Sequence, residues 1–178
     1  NSTFVLVGRN GLAATDVASL VQLAKSQPGK LNYGTDGVGG SMHLATELIK
    51  QKAGIAMLHV PYRAGPQVLT DLAGGQIDLA VMPLALVRPF VKDGKVRAYG
   101  VLSRQRWDDA LPGVPSVSEY APLADVDERS WYGMLAPAGI DKALLEKLST
   151  ELTKVVADPE VTRRLAEAGL AAAPLTGA

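Results

Sequence analysis

The passage from Leu31 to Ile49 constrains the fold more than any other part of the chain. A short apolar run, Leu31 to Tyr33, leads into the turn Gly34-Thr35-Asp36-Gly37-Val38-Gly39-Gly40. The turn opens at Ser41 into a segment with Leu44, Leu48 and Ile49 at helical spacing. A strand running through a glycine-rich turn into a helix is the repeating half-unit of an α/β sheet. Glycine permits a tight reversal and lets backbone approach a ligand closely. The first N–H groups of a helix have no acceptor inside it, so they can bind an anion. Strand, turn and helix therefore make a candidate anion cradle. The stretch holds no nucleophile–base pair, so it points to binding before it points to chemistry.

This is neither of the familiar phosphate loops. Met42 stands where a dinucleotide fingerprint places its third glycine, and no Lys-Ser or Lys-Thr follows as in a Walker loop.

The rest of the chain repeats the alternation. Thr3 to Val7 reads as a buried strand, and Thr15 or Asp16 caps a helix through Ser26 with Val17, Leu20, Val21 and Ala24 on one face. Pro28-Gly29 stops it. The helix from Ser41 to about Lys52 ends at Ala53-Gly54, and the next strand, Ala56 to Val60, closes at Pro61-Tyr62. A helix over Gly65 to Ala73 ends at Gly74-Gly75. An apolar strand, Ile77 to Val81, leads through a turn at Met82-Pro83 to a helix, Leu84 to Val91, strained or begun late by Pro89. A strand over Val96 to Leu102 precedes a Pro-rich loop over Pro112 to Pro122. Ser130 to Leu135 reads as a strand. Asp141 to Ala157 reads as a helix with Leu145, Leu148, Leu152 and Val155 on one face, and Asp158-Pro159 starts a last helix that Gly169 ends. The tail is alanine-rich (Ala171 to Ala173). The alternation predicts an α/β fold, a mostly parallel sheet flanked by helices. In such sheets ligands sit beyond the carboxyl ends of the strands, where the turns at Gly34 to Gly40 and at Met82-Pro83 both fall.

Composition narrows the chemistry. Eighteen Lys and Arg balance eighteen Asp and Glu, so no basic excess draws nucleic acid. There is no cysteine, hence no disulfide, thiolate zinc site or cysteine nucleophile. The two histidines lack metal-ligand spacing, and no Gly-x-Ser-x-Gly elbow occurs. The clusters Asp108-Asp109 and Asp125-Val126-Asp127-Glu128 lack the spacing of a calcium loop and read as solvated. No catalytic residue, metal or cofactor is expected. No stretch approaches the roughly 20 apolar residues that span a bilayer.

The order of the motifs is specific. Pro28-Gly29-Lys30-Leu31-Asn32-Tyr33-Gly34, Gly39-Gly40-Ser41-Met42-His43-Leu44 and His59-Val60-Pro61-Tyr62-Arg63 come in succession. Leu69-Thr70-Asp71-Leu72-Ala73-Gly74-Gly75-Gln76 and Gly94-Lys95-Val96-Arg97-Ala98 follow. Leu111-Pro112-Gly113-Val114-Pro115-Ser116 and Trp131-Tyr132-Gly133-Met134-Leu135-Ala136-Pro137-Ala138-Gly139 complete the series. Together they resemble the Bug family, the TctC-like substrate-binding proteins of tripartite tricarboxylate transporters. The resemblance covers nearly the whole chain.

That resemblance implies a periplasmic-binding-protein-like, two-lobed Venus-flytrap receptor. It would capture a small organic carboxylate in the periplasm and deliver it to membrane permease subunits. It also implies that the chain is a fragment. Residues 9–125 would be a complete second lobe. Residues 1–8 and 126–178 would be crossover strands and the returning part of a first lobe whose N-terminal part is missing. The helix at 141–157 would then lack the sheet its apolar stripe requires, so a homodimer is expected. Ligand binding by this stretch alone is expected to be weak or absent.

The same resemblance places a carboxylate loop at Thr35, Asp36, Gly37, Val38, Gly39, Gly40 and Ser41. Val38 stands where relatives often carry Asn, and Gly40 where they often carry Thr, so two side-chain donors are lost. Met82 and Pro83 replace a frequent Asp-Asn pair. His43, on the first turn of the helix, either donates to a bound acid or packs against Tyr62, the packing role being the one expected. His59 reads as structural. Tyr62 and Arg63 rim the cleft or are solvated. Trp131 lines a hinge or packs between lobes, the packing role being the one expected. Two other functions fit the same fold: an extracytoplasmic ligand-sensing adaptor, and, with less support, an α/β enzyme acting on small acids.

Overall fold

The computed structural model describes residues 2–172. Residue 1 and the end of the expected returning stretch, from 173 on, lie outside the described residues, as does the last alanine of the Ala-rich tail. Residues 3–130 form one compact unit, and Ser2 with the described residues from 131 onward forms another.

The larger unit is built on one sheet. Strands β1 (Ser2–Arg9), β2 (Asn32–Thr35), β3 (Leu58–Pro61), β4 (Leu79–Pro83) and β5 (Val96–Val101) lie in the order β3-β2-β4-β1-β5, and β6 (Arg129–Ser130) also pairs with β1. β2 pairs in parallel with both β3 and β4. β1 pairs antiparallel with both β4 and β5, so the sheet, expected to be mostly parallel, carries one reversed strand. β2 to β5 thus share one direction and β1 is inserted against it. Each of those four follows a helix that carries the chain back across the sheet, which fixes its direction. No crossover helix precedes β1 among the described residues, so the alternation could not read its direction. Every residue from Ser2 to Gly8 is buried, as in a strand covered on both faces.

Helices α1 (Val17–Ser26), α2 (Ser41–Ala53), α3 (Gly65–Ala73) and α4 (Leu84–Lys92) supply that cover. Asp16 caps α1 by accepting the Ser19 N–H at 2.7 Å, and the Ser19 hydroxyl oxygen accepts the Asp16 N–H in return. The residues read as its apolar face, Val17, Leu20, Val21 and Ala24, are all buried. α4 runs unbroken through Pro89 from Leu84, with Leu84 and Val87 wholly buried, so packing offsets the lost backbone donor. Two short 3-10 turns, Val117–Glu119 and Ala121–Leu123, occupy the Pro-rich loop.

The smaller unit holds α5 (Lys142–Ala157) and α6 (Pro159–Glu167), capped by Asp141 and Asp158. The strand expected over Ser130 to Leu135 is reduced to β6; the residues after Ser130 have no ladder partner among the described residues. Trp131, expected to pack, is exposed. The stripe Leu144, Leu145, Leu148, Leu152 and Val155 on α5 is likewise exposed.

Candidate functional site

Register brings the candidate residues to one edge of the sheet. Gly34 lies opposite Ala80 of β4, and Thr35 opposite Pro61 of β3. Because these strands are parallel, the glycine turn after β2, Tyr62-Arg63 after β3 and the end of β4 emerge side by side. The expected turn at Met82-Pro83 is the last step of β4 itself. Met82 is fully buried opposite Val5, and Pro83 is half-buried opposite Phe4. Of that pair only Pro83 reaches the surface.

The turn is anchored at its root. Thr35 is fully buried; its hydroxyl oxygen accepts the Gly37 N–H at 3.3 Å and shares a 2.6 Å hydrogen bond with Nε2 of His59. Gly37 (φ 131°) and Gly39 (φ 80°) hold backbone angles that side chains disfavour, so this turn depends on glycine. Asp36, Val38, Gly39 and Ser41 are exposed. The α2 cap is Gly40, whose lack of a side chain leaves the Ser41, Met42 and His43 N–H groups without an acceptor among the described residues. These three groups at a helix N-terminus form the anion cradle. Asp36 stands close by: a Cβ built on Gly40 would lie 3.0 Å from Asp36 Oδ1.

α2 presents three faces, where the sequence suggested one apolar stripe. Met42, Ala45, Thr46, Ile49 and Ala53 face the core. Leu44, expected there, is 60% exposed. With Ser41 and Leu48 it lines an open concavity of about 370 Å³ closed by Phe4, Ala45, Glu128 and Arg129. Sequence reading missed this wall. The signal was present, because Leu44 and Leu48 are one turn apart and rotated from Met42, Ala45 and Ile49.

The third face carries His43, Glu47 and Lys50. The Tyr33 hydroxyl donates to Glu47, and Lys50 Nζ bonds the same carboxylate at 2.6 Å while sitting 5.0 Å from the Tyr33 ring centre. Burial and the adjacent Glu47 carboxylate push the Tyr33 phenol well above its usual range. Burial raises the Glu47 carboxyl, but the bonds from Lys50 and Tyr33 outweigh it and hold the group low. The His43 ring lies tilted 4.3 Å from His59 and stacked 6.4 Å from Tyr33, a correction to the expected packing against Tyr62. Its Nδ1 accepts the Gly39 N–H at 3.2 Å. Burial, then the neighbouring His43, depresses the His59 imidazole. Tyr62 donates to Asp71 at 2.8 Å; burial and that carboxylate push its phenol up to about 12. Arg63 is exposed.

The sequence profile of the tripartite tricarboxylate transporter family receptors (TctC) matches residues 1–175. The chain belongs to this family. A curated relative in Pseudomonas sp. (strain P51), a UPF0065 protein in the tcbD-tcbE intergenic region, is 35% identical over 155 residues, 87% of this chain and 46% of the relative. Among solved structures, an R. palustris protein with adipate superposes at a TM-score of 0.88 with 29% identity, over 94% of this chain and 56% of that one. The periplasmic binding protein BugD superposes at 0.84 with 27% identity, over 94% and 56%. The chain thus spans about half the length of the proteins it matches. Its periplasmic-binding-protein-like α/β fold follows from these likenesses. No helix among the described residues is long and apolar enough to cross a membrane, and no cluster of metal-ligating side chains occurs among them.

Proposed function

We propose that this chain is the carboxylate-gripping part of a periplasmic solute receptor that passes a small organic acid to the permease of a tripartite transporter. The carrying observation is the glycine-capped start of α2, where the Ser41, Met42 and His43 N–H groups lack acceptors. A carboxylate at that point accepts several N–H bonds along the helix dipole. The turn from Thr35 to Ser41, with Asp36, Val38 and Gly40 in it, shapes the approach. His43 steadies the turn, and Pro83 borders it. Phe4, Leu44 and Leu48 offer an apolar wall to the body of the acid, and Arg129, bonded through Nε to Asp127 at 3.2 Å, borders the same concavity beside Glu128. The adipate held by the R. palustris relative has that chemistry, two carboxylates on an aliphatic chain. The fold of residues 3–130 as one compact unit accords with a receptor lobe over 9–125, with 1–8 and 126–178 belonging to the crossovers and the other lobe.

The test is a nitrogen-15 NMR titration of this chain with adipate near neutral pH. Half a grip predicts weak binding, on the order of millimolar, about 4 kcal/mol. Shifts confined to the amides of 36–43 are expected. An unchanged spectrum, or shifts centred away from α2, would sink the reading.

A further inference from the structure

The His43 ring has its Nδ1 in the one place where it competes with a ligand for the turn. Nδ1 accepts the Gly39 N–H at 3.2 Å, so in this arrangement the neutral ring carries its proton on Nε2. Gly39 lies one residue before the helix cap Gly40, inside the anion cradle. A protonated ring bears hydrogen on both nitrogens and accepts nothing. It then releases the Gly39 N–H, turns Nδ1 into a donor, and places a positive charge beside the cradle.

We infer that His43 is a positioning residue that couples carboxylate capture to proton uptake: neutral, it holds the Gly39 N–H away from the ligand; protonated, it frees that donor and attracts the anion. This rests on the carboxylate reading of the turn. Four elements bring titratable or charged groups near His43. Glu47 and Lys50 lie further along α2 and are joined to each other in a 2.6 Å ion pair. His59 on β3 lies 4.3 Å away, ring to ring. Tyr33 on β2 donates to Glu47. Asp36 stands at the turn itself, where its carboxylate repels an incoming acid and a charged His43 ring offsets it. A bound carboxylate tips the balance toward the protonated ring. By linkage, affinity then rises as pH falls through the range in which imidazoles titrate, until the ligand's own carboxyls take up protons.

The experiment has two arms. Without ligand, nitrogen-15 spectra of the histidine rings and of the Gly39 amide are followed between about pH 8 and pH 5. The neutral His43 proton is expected on Nε2, with the Gly39 amide moving in step with the His43 ring. A proton on Nδ1, or a Gly39 amide indifferent to that ring, overturns the inference. With ligand, adipate is titrated at about pH 8 and about pH 6, and binding about tenfold tighter at the lower pH is expected, the effect of one unit of linked protonation. His43→Asn, whose amide oxygen takes the place of Nδ1 as an acceptor for the Gly39 N–H but does not titrate, is expected to bind equally at both; His59→Gln is expected to retain the dependence. Adipate that binds the native chain with no pH dependence, or a dependence that survives in His43→Asn, overturns the coupling alone. Adipate that perturbs nothing at either pH defeats the carboxylate reading itself and the coupling with it.

Discussion

Thr35 Oγ1 and His59 Nε2 lie 2.6 Å apart, and this bond ties the root of the glycine turn to the neighbouring strand. The same hydroxyl accepts the Gly37 N–H, so a single buried oxygen fixes both the strand pair and the first step of the turn. Thr35→Val keeps the shape and removes the hydroxyl, leaving a histidine nitrogen and a backbone N–H without partners. The expected loss is about 1 kcal/mol, the low end for an unsatisfied polar group, because Gly37 and His59 are only half-buried. Thr35→Ser, which loses only a methyl group, is expected to retain more of the stability. Urea midpoints of the two variants decide it; equal losses would mean that the hydroxyl is not the tie.

Gly34 shows a second constraint on the same strand. A Cβ there would lie 2.5 Å from Ile77 Cδ1, 2.8 Å from Val68 Cγ1 and 3.3 Å from the Tyr62 ring. Ile77 and Val68 both belong to the buried core. Gly34→Ala is therefore expected to cost about 1–3 kcal/mol through overpacking. At Gly40 a Cβ comes nearest to the end of the Asp36 side chain, at 3.0 Å, and meets the Gly37 carbonyl oxygen only at an ordinary 3.7 Å, with no left-handed angle to hold. Gly40→Ala is expected to leave thermal stability nearly unchanged. Comparable melting losses at the two positions would contradict the packing argument.

Glu119 governs an acid-sensitive contact in the Pro-rich loop. It accepts two bonds from Arg106, at 2.7 and 2.5 Å, and the Ser116 N–H at 2.9 Å. The Arg106 bonds, followed by that N–H, pull its carboxyl down to about 2. A carboxyl depressed in the folded state stabilises above its unfolded value, about 4.3, and the contribution fades as pH falls toward the folded value. The denaturation midpoint of the native chain is therefore expected to drop between about pH 5 and pH 2 more steeply than that of Glu119→Gln. Because the pair is half-exposed and screened, the difference should be small and should shrink in high salt. Parallel curves for the two proteins would remove Glu119 from the acid response.

Much of this was legible in the sequence, for reasons that lie in particular residues. Asp16 and Asp158 announced helix starts because a cap needs a short side-chain acceptor there. Gly65 to Ala73 fell on α3 at both ends because proline opens it and glycine closes it. The glycine turn was visible because left-handed angles at Gly37 and Gly39 demand that residue. Other features depended on partners distant in the chain. The direction of β1 is set by β4 and β5, and a strand pattern carries no sign of its pairing. Trp131 to Leu135 has the composition of a strand but pairs with nothing described. The three faces of α2 were compressed into one because Leu44 and Leu48 are apolar without being core. His43 found His59 and Tyr33 instead of Tyr62, since the register of β2 on β3 decides which rings meet.

Leu144, Leu145, Leu148, Leu152 and Val155 are each between 38% and 51% exposed on one helix. A contiguous apolar surface of this kind in water favours association or dye binding. The chain on its own is expected to bind a hydrophobic dye and to self-associate as concentration rises, and Leu148→Glu with Leu152→Glu is expected to suppress both. The substitutions touch no buried residue, so the far-ultraviolet spectrum should be preserved and the loss of association should not come from unfolding. A monodisperse monomer at high concentration with no dye signal would mean that the stripe is covered in solution. In that event the double substitution should instead destabilise the fold, because it would then place two charges in a packed interface.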